Sequence, residues 1–180
     1  MGAGRRSRPA PTLGGYPEWM GDLAIVERQL GRPPRGVRRV AARCPYGAPA
    51  VVEQAAYLDG GEPFPTTYYL TCPSAVAAVG ALEDAGGVDR LEQLVAAGGD
   101  AAASYAWGTA RQRQLRRPAP VMADSGASLS LGIGGTSREG AVKCLHAHAA
   151  FALAEPGYDL GRAILDEAAP LFPTGGCCSA

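Results

Sequence analysis

The 180-residue chain is 47% apolar and 19% charged, and its 17 Lys+Arg balance 17 Asp+Glu. Such a composition is globular rather than disordered, and the length suits one domain with a real core. Zero net charge removes any global pull toward nucleic acid or an anionic membrane, and no apolar run approaches a membrane span.

Residues 1–18 begin MGAGRRSRPAPTLGG, basic but without the apolar stretch of a signal peptide. They read as a disordered tail ahead of a single domain over 19–180, and the expected compartment is the cytoplasm. Asp22 to Leu30 predicts a short helix, capped by Asp22 and ended by Gly31. RPPRG at 32–36 cannot continue it. Three strand-like runs follow: VRRVAAR at 37–43, AVVEQAAYL at 50–58 and TTYYLT at 66–71. Short, turn-rich separators make an antiparallel meander the simplest topology.

After Cys72 the pattern becomes helical. Helices are expected over 73–84, 88–97 and 100–117, the last carrying Arg111, Arg113, Arg116 and Arg117 toward its end. Helix-end charge on a solvated face accounts for these arginines. Residues 118–136 are rich in Gly, Ser and Pro and read as a long flexible loop. Its GIGG at 132–135 lacks a full phosphate-binding fingerprint. Thr136 and Glu139 form a capping-box pattern for a helix over 139–154, and a short helix over 160–168 leads into a Cys-Cys tail. Strands first and helices after predict an α+β fold: a small meander of about three strands packed against several helices.

Five cysteines, an odd number, argue against a disulfide framework and for metal ligation or a reactive thiol. On a helix over 139–154, Cys144 and His148 lie about 40° apart, beside a core stripe of Val142, Leu145, Ala149, Ala152 and Leu153. His146 falls roughly 160° from both, so the two histidines do not suit one ion. Cys72 precedes Pro73 and is a plausible N-cap, where backbone N–H groups and the helix dipole favour a thiolate. Cys44 sits at a strand end before Pro45, and the meander places it on the same sheet edge as Cys72. Gly175-Gly176 lets the tail fold back, offering one of Cys177 and Cys178.

The first reading is therefore a metal held by Cys72, Cys144, His148 and one of Cys177/Cys178, with Cys44 in reserve. Zinc ranks first and an iron–sulfur cluster second. A metal-free thiol enzyme is the rival, with Cys72 as nucleophile and His148 as base. A third reading is a non-enzymatic interaction module that docks through the arginine helix.

RCPYGAP, PFPTTYYLTCP, GIGGTSREGAVKCLHAHAAFALA and the closing CC resemble an uncharacterised bacterial family, domain of unknown function 501, from about Leu23 to Cys178. The family motifs fall on Cys44, Cys72, Cys144, His146, His148, Cys177 and Cys178. The PGYDLG turn at 156–161 departs from the Asn-Pro turn the resemblance implies. The resemblance brings no activity. It implies a genomic setting beside a septum-formation initiator and an exopolyphosphatase-like phosphatase, and so a protein partner in cell division or the envelope.

Overall fold

The computed structural model describes residues 21–119, 122 and 124–178; the expected N-terminal tail lies outside them. Its sheet is a three-stranded antiparallel meander in the order β1 (Val37–Arg43), β2 (Pro49–Gln54) and β3 (Tyr68–Leu70). β2 is buried at all six positions because it is central. Its one carboxylate, Glu53, is paired with Arg39 across the ladder at 2.7 Å. That pairing is what lets a charged residue sit in a buried strand. Six α-helices accompany the sheet among the described residues: α1 (Leu23–Leu30), α2 (Pro73–Asp84), α3 (Gly87–Ala96), α4 (Gly99–Arg116), α5 (Leu145–Ala154) and α6 (Asp159–Glu167). The fold is α+β.

Helix α1 ends at Gly31 in a left-handed conformation, φ 66°. Asp22 makes no side-chain cap; its carboxylate pairs instead with Arg43 at 2.6 Å. β2 is shorter than its apolar run because Ala55–Leu58 leaves the ladder to meet the 61–64 turn, and β3 is confined to Tyr68–Leu70.

The centre of the molecule is α5. Seven of its ten residues are buried: Leu145, Ala147, His148, Ala149, Ala150, Phe151 and Ala152. A helix covered on all sides needs no polar face, and α5 packs against the sheet, α2 and α6. Its start differs from the sequence expectation. Residues 140–144 are not helical, Gly140 has φ 73° and Cys144 is extended. Distant side chains take the hydrogen bonds that helix would have used. Glu92 accepts from Val142 N–H at 2.8 Å, Tyr105 donates to Ala141 O at 2.9 Å, and Glu83 accepts from Leu145 N–H at 2.5 Å. Carboxylates borrowed from α2 and α3 thus replace the local capping box.

Among the arginines at the end of α4, Arg113 and Arg117 are exposed as a solvated face requires, and Arg116 is not. Arg116 is 2% exposed and donates to Ser128 O at 3.0 Å and Phe64 O at 2.9 Å. Arg111 pairs with Glu155 at 2.9 Å, and Arg113 donates to Ser130 O at 2.7 Å. The 118–136 segment is thereby tied to α4, and it contains 3-10 turns at Ala127–Ser130 and Ile133–Gly135. Among the described residues, no helix is long and apolar enough to cross a membrane.

Candidate functional site

β1 ends at Arg43 and turns at once. Cys44 N–H bonds Ala48 O at 2.9 Å, and Gly47 N–H returns to Cys44 O at 2.9 Å. β3 ends at Leu70, and both Thr71 and Cys72 direct their N–H groups to Ala50 O, at 2.9 and 3.4 Å. Cys44 and Cys72 therefore flank the start of β2 from opposite sides, and both are buried. Cys72 then caps α2: its backbone is extended, Pro73 occupies the first turn, and Val76 N–H closes onto Cys72 O at 2.9 Å.

The C-terminal segment returns to this edge. Tyr46, in the β1–β2 turn, donates its hydroxyl to Pro173 O at 2.6 Å. Leu171, Phe172 and Cys177 pack against the core. Cys178, exposed, brings its Sγ to 3.4 Å from the Sγ of buried Cys72. A buried sulfur thus meets an accessible one across 106 residues of sequence.

Burial pushes the Cys72 thiol up to about 11; Cys178 adds to the rise, and the backbone N–H groups of Ser74 and Ala75 oppose it. The helix-end effect has the expected direction, but desolvation outweighs it. Cys144, half-buried at the start of α5, is likewise raised by burial, with Glu83 adding and the N–H groups of Ala147 and His146 opposing.

The histidines have separate environments. His146 places Nε2 at 3.1 Å from Val76 O and Nδ1 at 3.2 Å from Glu83 Oε1, bracing α5 against α2. His148 is fully buried, with Nδ1 at 2.6 Å from the Tyr158 hydroxyl and its ring stacked on Tyr105 at 6.1 Å between centroids. Its Nε2 has no partner among the described residues. Desolvation lowers its pKa to about 4, so the ring is neutral at pH 7.

The structure thus joins Cys72 to Cys178, puts Cys44 on the same edge, packs Cys177 on the shared core, and places Cys144 and His148 at the start and in the body of α5. Among the described residues, no group of three or more His, Cys, Asp or Glu side chains is arranged to hold one metal ion. The zinc and iron–sulfur readings therefore find no support in the described geometry. Sequence reasoning did not single out Tyr46, Glu83 and Tyr158. Each acts across a chain separation that leaves no periodic trace.

Residues 40–166 match a family described as a protein of unknown function, DUF501. The match begins inside β1 and stops before the C-terminal cysteines. No curated protein and no solved structure matches the chain.

Proposed function

The chain belongs to the DUF501 family, whose description assigns no chemistry, and on the geometry alone we propose that it is a thiol–disulfide protein with Cys72 and Cys178 as its dithiol. The 3.4 Å approach of the two sulfurs carries this reading. A shift of little more than 1 Å brings them to a disulfide bond length of about 2.05 Å.

The roles follow from exposure. Cys178, on the outside, attacks a disulfide of a partner or small molecule, forming a mixed disulfide and releasing one thiol. Cys72 then attacks the Cys178 sulfur, loses its proton to solvent, and expels the second thiol. Two protein thiols and one disulfide become one protein disulfide and two thiols. The tail, already fastened through Tyr46, becomes covalently closed over the start of α2. On this reading His148 has no part in the sulfur chemistry: its ring is fully buried in the core, with Nδ1 on the Tyr158 hydroxyl.

A soft metal on the same sulfurs is the second reading, because thiolates on one tetrahedral zinc lie roughly 3.8 Å apart. Cys44 and Cys177 would have to move to supply further donors, since no third donor is in place beside these two sulfurs among the described residues. One experiment separates the two. Untagged protein is analysed for metal, then treated with oxidised glutathione and digested for mass spectrometry. The dithiol reading expects no stoichiometric metal and a Cys72–Cys178 linked peptide that disappears on reduction. Stoichiometric zinc or iron, or a disulfide confined to Cys177–Cys178, overturns it.

A further inference from the structure

The C-terminal segment does more than bring a sulfur to the sheet edge. Beyond Ala169 the described chain forms neither helix nor strand. Side chains seat it on the domain. Leu171, Phe172 and Cys177 pack against the core cluster that contains Cys44 and Cys72, and the Tyr46 hydroxyl donates to Pro173 O at 2.6 Å. A segment without ladder or helix bonds opens at a smaller free-energy cost than the elements beneath it.

What this segment covers is Cys72. That residue is 2% exposed, whereas Cys178, with its sulfur 3.4 Å away, is exposed. The tail sulfur therefore lies on the solvent side of the buried one. Such a cover acts twice. It blocks the approach of an outside reagent. It also adds to the burial that holds the proton on the Cys72 sulfur against the N–H groups of Ala75 and Ser74 in the first turn of α2. With the tail lifted, the sulfur keeps those N–H groups and regains water, and both favour a thiolate.

We propose that residues 170–178 are an autoinhibitory strap over Cys72. Seated, the strap presents the Cys72 sulfur to Cys178 alone; lifted, it opens Cys72 to external disulfides and other electrophiles. This regulation rests on the dithiol reading, since the guarded sulfur is the inner member of that pair. It also gives the pair an order. An incoming disulfide meets Cys178 first, and a Cys72–Cys178 bond then fixes the strap in its closed position.

Tyr46 is the handle for a test. It is 42% exposed and reaches the tail through its hydroxyl, so Tyr46→Phe loosens the seat while the ring stays in place. The reduced full chain is treated with iodoacetamide, and labelling of Cys72 and Cys144 is followed by peptide mass spectrometry. Cys144, half-buried at the start of α5, reports any general loosening. Losing one net hydrogen bond should raise the open population of the strap, and with it Cys72 labelling, about fivefold. Phe172→Ser, which removes apolar packing, should raise it about tenfold or more. Cys144 labelling should hold in both variants. Cys72 labelling at the wild-type rate in both overturns the strap, as does an equal acceleration at Cys144. The Cys72–Cys178 linked peptide is scored separately. Its absence under oxidised glutathione defeats the dithiol reading, whereas its formation alongside unchanged labelling defeats the strap alone.

Discussion

Two helices of this protein begin at a cysteine. Cys72 before α2 and Cys144 before α5 both have extended backbones, both lie against N–H groups of the first turn, and both thiols are raised by burial. Their surroundings then diverge. The first meets a second sulfur at 3.4 Å. The second begins a helix whose leading N–H and whose His146 are both taken by the Glu83 carboxylate. On the dithiol reading, the same local device serves chemistry at one helix start and architecture at the other. What separates them is which distant segment arrives: a tail in one case, a carboxylate in the other.

The comparison can be broken at several points. The largest effect is expected at the architectural end. His148→Ala leaves a cavity and strips the buried Tyr158 hydroxyl of its partner, costing about 4 kcal/mol in denaturant unfolding. The folded fraction should still form the Cys72–Cys178 disulfide at an unchanged rate. A slowed rate would return His148 to the thiol chemistry.

Acid should reveal the same residue. Its pKa is about 4 in the folded chain, and the unperturbed value is about 6.5. The unfolded chain therefore gains a proton first as pH falls. Stability from this group is complete above pH 6.5 and erodes toward pH 4, by about 3 kcal/mol in all. Thermal melts across that window should show the slope in the wild type and lose it in His148→Ala.

Glu83→Ala should cost about 2 kcal/mol by uncapping α5 and releasing His146, again measured by denaturant, with thiol oxidation unaffected. Cys72→Ser and Cys144→Ser should each cost only about 1 kcal/mol. They differ in chemistry: only Cys72→Ser removes the linked peptide. If Cys144→Ser removes it too, the two helix starts are not distinct.

The finest distinction is kinetic. With the Cys72 thiol raised to about 11, its thiolate fraction rises about tenfold per pH unit up to that value. The closing step, followed after a mixed disulfide is loaded on Cys178, should accelerate by that factor from pH 7 toward pH 10. A rate that is flat over this range would mean that Cys72 is not the attacking sulfur.

Much of the architecture was legible because it is written in local patterns. The meander follows from β-branched runs between turn residues. The second helix is bounded by Pro73 and Asp84, and the first is stopped by Gly31 as its left-handed φ requires. What was not legible depends on partners distant in order. The capping box at Thr136 and Glu139 is a valid local signal, but Glu92 and Tyr105 divert the backbone that would have obeyed it. Arg116 reads as a solvated helix-end charge until the carbonyls of two other segments are seen around it. Of the Cys-Cys tail, sequence order showed only that Gly175-Gly176 lets it fold back. The contact of Cys178 with Cys72 appears once Tyr46 is seen to hold Pro173.

Arg116 has one more implication. Its guanidinium gathers carbonyls from residues 64 and 128, and among the described residues no backbone hydrogen bond links those two segments. It behaves as a rivet through three layers of chain, and a rivet needs a head of the right shape. Lysine would bring the same charge to that spot on a single point, so it would leave one of the joined layers unpinned.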